Sequence, residues 1–282
     1  MKVAFLILAH KHPKQLQRLL DALQHPEFDF YIHIDAKADA EPFKYLIDNK
    51  TIFFVKKRTK IYWAGYGTIQ ATINGLKEIS LPDYDYVNVI SAQDFPLKPA
   101  GEIYNYILER KGTEFITCHS FEEWPVAPRV QKYHFINWQI PGKYRLEKIA
   151  NLILPKRKFP LDHKIVGRAN WFTITTKAAK YILDFLDQNP KVIKYYKYCW
   201  GADEFIFSTI LYNSSFHDKI ADNLIYVDWS SGTAHPKILT VDDYAAMKSS
   251  LKLFARKFDA DTDPVILNML EASIGIENKT TA

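Results

Sequence analysis

Two carboxylates, Asp203 and Glu204, follow Gly201 at the start of a segment with a helical apolar pattern. Carboxylates in a first helical turn interact favourably with the helix dipole, so plain N-terminal capping is one interpretation of the pair. The other interpretation is chemical. A carboxylate held at a helix start, beside a cleft of Trp and Tyr, can take a proton from an attacking hydroxyl group. The spacing alone leaves both open.

A second group that could do chemistry is the cation cluster of Lys252, Arg256 and Lys257. Fixed cations can bind a diphosphate, although a charged run is also commonly a solvated surface. Two further basic clusters lie at residues 56–60 and 156–158. The net charge of +5 and the pI of about 8.9 are compatible with nucleic acid, an anionic membrane or an anionic small molecule as partner.

Metal sites of recognised type are not predicted. The acidic segment 259–263 resembles the start of a calcium-binding loop, but Pro264 replaces the required Gly and Leu270 replaces the bidentate Glu. Asp35 ends a predicted strand without the second carboxylate of an Asp-x-Asp site, because Asp39 lies four residues on. The patterns GxGxxG, GxxxxGK[ST], GxSxG and HExxH do not occur. We therefore expect neither a metal nor a cofactor.

The elements that must position these residues alternate between strand and helix in the first half of the chain. Strands are predicted at residues 3–9, 28–34, 51–55 and 84–90, and helices at residues 13–24, 41–48 and 68–79. This order predicts an α/β fold with a mainly parallel, helix-covered sheet. Ligands bind beyond the carboxyl ends of such strands, which directs attention to His10, Asp35 and residues 93–98.

The second half of the chain has a less regular centre. Residues 118–160 are rich in aromatic and basic side chains and are predicted to form loops beside the site instead of scaffold. Strands are predicted at residues 170–174 and 223–227, and helices at residues 176–187, 203–212, 241–249 and 265–272. Because no linker, repeat or low-complexity tract interrupts the chain, we expect one domain over residues 1–282.

The composition is that of a globular protein, with 48% hydrophobic and 24% charged residues. Aromatic residues make up 15%; most should fill the core, and some can stack on a sugar. Cys118 and Cys199 have no CxxC spacing, which favours a reducing compartment. The apolar run at residues 3–9 is shorter than the roughly 20 residues of a membrane span and lacks the features of a secretory signal. Any membrane association is therefore expected to be peripheral.

Seven segments, in the right order, resemble the family of core-2/I-branching β-1,6-N-acetylglucosaminyltransferases and peptide O-xylosyltransferases. They are AFLILAHKHPKQLQRLLDAL, YIHID, IYWAGYGTIQA, SAQDFPLKP, GRANWFTIT, DEFIFSTIL and LFARKFDADTD. Each segment is a weak signal alone, but their common order is specific. The resemblance covers about residues 3–270 and implies a GT-A-type fold and an inverting, metal-independent transfer from a UDP-sugar.

The resemblance also implies roles for individual residues. Glu204 falls on the family's catalytic base, and Asp35 falls on the position that meets the uracil, with Leu8 and Ala9 in the same pocket. Lys257 falls on a cation that contacts the diphosphate. The second diphosphate cation aligns with either His235 or Lys237, and Arg256 is a further candidate. The acceptor-site residues are implied to be Glu122, Arg129, Lys132 and Trp229.

The resemblance implies transfer of GlcNAc from UDP-GlcNAc to a carbohydrate hydroxyl in β-1,6 linkage. Alternatives are UDP-xylose as donor and a non-catalytic nucleotide-sugar or glycan-binding protein on the same fold, although a binder has no need of both Glu204 and Lys257. No nucleic-acid-binding motif is present. We expect a cytoplasmic enzyme acting on a glycan or lipid-linked oligosaccharide, with the basic clusters in contact with the inner membrane face.

Overall fold

The computed structural model describes residues 1–276. Its strands are β1 (Val3–Ala9), β2 (Phe28–Ile34), β3 (Ile52–Phe54), β4 (Tyr86–Ser91), β5 (Asp94–Pro96), β6 (Glu114–Phe115), β7 (Phe172–Thr175), β8 (Ile220–Ala221), β9 (Ile225–Val227) and β10 (Phe254–Arg256). Its α-helices are α1 (Pro13–Ala22), α2 (Gly67–Glu78), α3 (Ala100–Glu109), α4 (Pro128–Gln131), α5 (Lys143–Ile153), α6 (Thr176–Gln188), α7 (Pro190–Tyr196), α8 (Ile206–Tyr212), α9 (Tyr244–Ser249) and α10 (Pro264–Ser273). Short 3₁₀ helices occupy Glu41–Asp48, Leu81–Asp83, Ala202–Glu204, His217–Lys219 and Val241–Asp243. Residues 277–282 of the expected 1–282 domain lie outside the described range.

The described residues form a seven-stranded sheet in the order β3-β2-β1-β4-β7-β6-β8. Strand β1 lies parallel to both β2 and β4, whereas β7 is antiparallel to β4 and to β6. The predicted α/β fold is confirmed, and the parallel half of the sheet coincides with the alternating half of the sequence. Strand β7, which runs against both of its neighbours, corresponds to the strand predicted at residues 170–174.

Strand β1 forms the middle of the core, and all seven of its residues are buried. Helix α2 packs against it so closely that a Cβ added to Gly75 would lie 2.4 Å from Leu6 Cδ1. Strands buried on both faces read as continuous apolar runs, which is why β1 was recognisable in the sequence. With the exception of Val166, the buried apolar side chains of the described residues belong to one contiguous cluster.

A smaller sheet brings the end of the chain to the carboxyl end of β4. Strand β10 pairs antiparallel with β5 and parallel with β9. The backbone N–H of Phe258 donates to Gln93 O at 2.8 Å, and the side chain of Gln15 donates to Phe258 O at 3.2 Å. These bonds hold the segment that carries Arg256 and Lys257 against the turn between β4 and β5.

Two sequence predictions were wrong in detail. The predicted loop region 118–160 contains α4 and α5. The helix predicted over 203–212 is broken into the 3₁₀ turn Ala202–Glu204 and α8, because the carbonyl of Glu204 accepts from the backbone N–H of Arg168 at 3.0 Å instead of continuing a helix. Within residues 1–276, none of the helices combines the length and the apolar character that a bilayer crossing requires.

Candidate active site

A cavity of about 640 Å³ opens at the carboxyl ends of β1, β2 and β4. Its wall includes Leu8 and Ala9 from the end of β1 and Asp35 from the turn after β2. The 3₁₀ turn Ala202–Glu204 and the end of β10 supply the other polar side chains. This is where an open α/β sheet is expected to bind its ligand.

Asp35 is held rigidly in this wall. Its Oδ1 accepts from the backbone N–H groups of Lys37 at 2.8 Å and Ile61 at 3.3 Å, and its own N–H donates to Ala9 O at 2.8 Å. Lys37 Nζ lies 3.6 Å from Asp35 Oδ2. The structure thus brings Leu8, Ala9 and Asp35 together as predicted, and a carboxylate fixed in this way can accept hydrogen bonds from a polar ligand. Its contact with a uracil stays a prediction.

Glu204 enters the cavity from a tight turn that begins at Gly201, whose φ of 60° is left-handed. One fifth of the Glu204 side chain is exposed, and its Oε2 lies 2.6 Å from Arg129 Nη1. A Cβ at Gly201 would be strained by this backbone and would lie 3.6 Å from Glu204 Oε2. The glycine therefore allows the carboxylate to face the cavity.

The environment of Glu204 raises its pKa to about 8. Burial is the largest cause, the neighbouring Asp203 carboxylate also raises the pKa, and Arg129 opposes both effects. Burial likewise raises the pKa of Asp203 to about 6. Two adjacent acids with separated pKa values and a cation beside them are typical of an acid–base site.

Arg129 lies behind Glu204 and outside the cavity wall. Its guanidinium lies 4.3 Å from the centre of the Trp200 ring and 5.0 Å from that of Trp124. Its carbonyl accepts from the Trp200 N–H at 2.9 Å. The structure places Arg129 as the ionic partner of Glu204, and its role in the acceptor site stays a prediction.

The activity should depend on pH through this pair. Since only ionised Glu204 can accept a proton, we expect kcat/KM to fall about tenfold per pH unit below a pKa near 8. Arg129→Gln removes the cation that lowers this pKa, so the acid limb should move to higher pH. Asp203→Asn removes the charge that raises it, so the limb should move to lower pH. A pH–rate profile for the three proteins checks the sign, and shifts in the same direction would contradict it.

Gly167 leaves room for the backbone of the Glu204 turn. A Cβ added there would lie 2.1 Å from Glu204 O and 2.9 Å from Phe205 Cδ1. Gly167→Ala must therefore displace Glu204, and a displacement near 1 Å can lower kcat by up to about a hundredfold. The control is Gly101→Ala, because a Cβ there meets no atom within 4 Å. Equal turnover of both variants would contradict the prediction.

Two adjacent cations, Arg256 and Lys257, also line the cavity. Arg256 Nε lies 3.3 Å from Asp94 Oδ1, and its guanidinium lies 4.8 Å from the Trp171 ring centre. Lys257 has no ion pair with any residue whose side chain the structure describes, which excludes residues 47, 48 and 277–282. Burial lowers the pKa of Lys257, and the charge of Arg256 lowers it further. Of these two cations, Lys257 is the one without an acidic partner, while Arg256 is partly neutralised by Asp94.

The structure places the other predicted residues as follows. Lys237 does not line the cavity, and its Nζ pairs with Asp243 Oδ1 at 2.6 Å. His235, the other residue that aligns with the second diphosphate cation, does line the cavity. Trp229 also lines it. Glu122 and Lys132 are exposed and are not part of the wall.

Several wall residues were not predicted. They are Lys37, Trp63, His119, Arg168, Trp171, Trp200 and Asp222. Most come from loops that carry no periodic pattern. A usable signal existed for Arg168 and Trp171, which belong to the segment GRANWFTIT. His10 and Lys252, which the sequence indicated, also line the cavity.

The acidic segment after β10 has a structural partner. His12 Nε2 lies 3.3 Å from both Asp259 Oδ1 and Asp261 Oδ2, and Lys11 Nζ lies 2.5 Å from Asp259 Oδ2. The ligand atoms of His12, Asp259 and Asp261 lie within 4.8 Å of one another, which is a spacing that could hold a cation. None of the three lines the cavity, and their observed contact links the turn before α1 to the segment before α10.

The model of the family described as "Core-2/I-Branching enzyme" matches residues 3–249 of this sequence. The chain belongs to this family. Among curated relatives, the xylosyltransferase sqv-6 of Caenorhabditis elegans is 24% identical over 81% of this chain. Xylosyltransferase 1 of Homo sapiens is 22% identical over 96% of this chain. The match covers only 28% and 30% of the lengths of these two relatives.

A comparison of structures relates this member of the Core-2/I-branching family to two solved glycosyltransferase structures at low sequence identity. The galactosyltransferase LgtC, in complex with donor and acceptor sugar analogues, has a TM-score of 0.45 and 10% identity, with 99% of this chain and 98% of that chain covered. Core-mannan synthase A of Aspergillus fumigatus has a TM-score of 0.42 and 12% identity, with 78% and 72% covered. Both TM-scores are low, so the family assignment depends on the sequence match.

Proposed function

We propose that this protein is an inverting glycosyltransferase that moves a sugar from a UDP-sugar to a carbohydrate hydroxyl without a divalent metal. The observation that carries this proposal is that Asp35, Glu204 and Lys257 share the wall of one cavity. A nucleotide recognition group, a base and a cation for the leaving group are the three functions that such a transfer needs. The fold is the GT-A type that the family resemblance implies.

Glu204 acts as the base in this mechanism. Its ionised carboxylate takes the proton of the acceptor hydroxyl as the hydroxyl oxygen bonds to the anomeric carbon. The bond from that carbon to the phosphate oxygen breaks on the opposite face, so the anomeric configuration inverts. Arg129, at 2.6 Å, orients the carboxylate and favours its ionised form.

Lys257 stabilises the departing UDP. The electron pair of the broken bond leaves with the β-phosphate, and a fixed cation in a partly dry cavity stabilises the charge that develops there. Arg256 supports the same region, although Asp94 takes part of its charge.

The donor sugar is proposed to be GlcNAc, transferred in β-1,6 linkage, and the acceptor a glycan or lipid-linked oligosaccharide. UDP-xylose is the second candidate, favoured by the names of the curated relatives. A thermal-shift comparison of UDP, UDP-GlcNAc and UDP-xylose separates them, since the preferred donor stabilises the folded state most. No shift with any of the three would contradict the proposal, whereas a shift without UDP release would favour a non-catalytic binding protein.

Activity should survive removal of divalent metals. Because Lys257 and Arg256 are proposed to take the place of a metal at the diphosphate, UDP release in excess EDTA is expected to stay within about twofold of the untreated rate. The control is to add Mn²⁺ back after EDTA treatment. A large loss that Mn²⁺ restores would show that the cation mechanism is wrong.

A further inference from the structure

Helix α5 is attached to the protein through its polar side chains. Glu147 Oε2 accepts from the Phe135 N–H at 2.9 Å, and Glu147 Oε1 lies 3.2 Å from His134 Nδ1. Asn151 exchanges two hydrogen bonds of 2.7 Å with the backbone of Tyr133. Positions four residues apart lie on one side of a helix, so Glu147 and Asn151 define the side of α5 that faces the protein.

The apolar side chains of α5 point the other way. None of its residues is buried. Leu152 is 85% exposed and Ile153 is 73% exposed, and Ile149 is also more than half exposed. A surface helix of a globular protein normally turns its apolar stripe toward the core, so the orientation of α5 is inverted. A contiguous exposed apolar surface of this kind indicates an interaction site.

The same outward surface is positively charged. At 100° per residue, Arg145 lies about 120° from Asn151, among the exposed apolar residues, and the exposed Lys148 lies about 60° from Asn151, at the edge of the apolar side. Exposed Lys156 and Lys158 follow directly after the helix. The acidic residue of α5 is Glu147, which faces the protein. The α5 surface, defined as the outward side chains of residues 145–158, therefore suits a partner that is both apolar and anionic.

We propose that the α5 surface docks the protein on an anionic lipid bilayer. Helices with Leu and Ile among Lys and Arg lie in the bilayer interface, where the apolar side chains enter the acyl boundary and the cations meet anionic headgroups. A second copy of this chain is a poorer partner, because a symmetric contact would place the cations of one α5 surface against those of the other.

The docking surface is rigidly connected to the candidate active site. Asn137, in the loop that holds α5, accepts from the Tyr66 N–H at 2.8 Å and donates to Lys197 O at 2.7 Å. Arg157, just after α5, donates to Tyr198 O at 3.0 Å. These contacts join α5 to the segment that leads into the Glu204 turn. A bilayer bound at α5 would thus hold the cavity in one orientation.

Flotation with vesicles tests this proposal. The full chain should float with phosphatidylcholine vesicles that contain phosphatidylglycerol, should not float with phosphatidylcholine alone, and should be released by NaCl. The double substitution Ile149→Glu/Leu152→Glu should reduce the bound fraction at least about tenfold. Arg145→Ser/Lys148→Ser should reduce binding about fivefold per lost cation. The matched control is Leu251→Glu, at a 92% exposed leucine outside the α5 surface, which should bind normally.

The outcomes that overturn the proposal are distinct from a failure of the proposed transfer. Absence of binding to the anionic vesicles, or equal binding of Ile149→Glu/Leu152→Glu, would overturn it. A dimer in sedimentation velocity that this variant abolishes, without vesicle binding, would assign the α5 surface to a second copy. Since the substituted residues are exposed, melting temperature and UDP release should stay unchanged in the variants.

Discussion

Replacing Glu204 by Gln is expected to lower kcat by about two to four orders of magnitude, which is the range for losing a general base. The amide keeps the size of the side chain but cannot accept the proton of the attacking hydroxyl. Binding of UDP should remain nearly unchanged, because the base acts on the acceptor side of the reaction. UDP release under single-turnover conditions gives the rate, and calorimetry gives the Kd for UDP.

The matched control for this substitution is Glu122→Gln. Glu122 is also a carboxylate, and the resemblance implies that it belongs to the acceptor site, but it is exposed and outside the cavity wall. Its replacement should leave kcat near the wild-type value. Near-normal turnover of Glu204→Gln would reject the role of the base. A parallel loss of UDP affinity would instead mean that the substitution disturbs the cavity as a whole.

Lys257→Met is expected to lower kcat by about two to three orders of magnitude, the effect of removing one donor that stabilises developing negative charge. Met has a similar length and no charge, so the packing of the segment after β10 should be kept. Affinity for UDP should fall as well, because the cation also meets the charge of the ground-state diphosphate. Lys257→Arg should recover part of the rate.

Lys252→Met serves as the control in the same cavity. Lys252 Nζ lies 2.7 Å from Asp222 Oδ2, so its charge is already paired. We expect its loss to change kcat less than about tenfold. If Lys252→Met and Lys257→Met lower kcat equally, the total positive charge of the cavity supports the reaction, and the assignment of Lys257 as the leaving-group cation is wrong.

Elements with strong local patterns could be predicted. The all-apolar β1 and the helical spacing of Leu16, Leu19 and Leu20 in α1 led to bounds within two residues of the observed ones. Short elements without such a pattern were missed, among them β5, β6, β8 and β10. A strand of two or three residues is stabilised by the neighbours it pairs with, and these neighbours are distant in sequence, as Ala255 and Phe95 are.

In the candidate site, too, the sequence could indicate some features and not others. The sequence indicated Asp35, Glu204 and Lys257, because each belongs to one of the seven segments whose common order carries the family resemblance. It could not indicate that Arg129, 75 residues before Glu204, is the ionic partner of that carboxylate. It also could not show that the charge of Lys237 is paired with Asp243. Alignment assigns a residue to a position, whereas its charge partner depends on which side chains the fold brings within a few ångströms.

The sequence by itself determined the α/β class, the family and the identity of the proposed base and leaving-group cation. These properties reside in runs of adjacent residues, whose periodicity and order are visible without a structure. Only the tertiary structure decided the pKa of Glu204, the close approach of Gly167 to its backbone and the outward direction of the apolar side chains of α5. The physical reason is that burial, electrostatic coupling and the facing of a helix are set by distances between segments that are far apart in the chain.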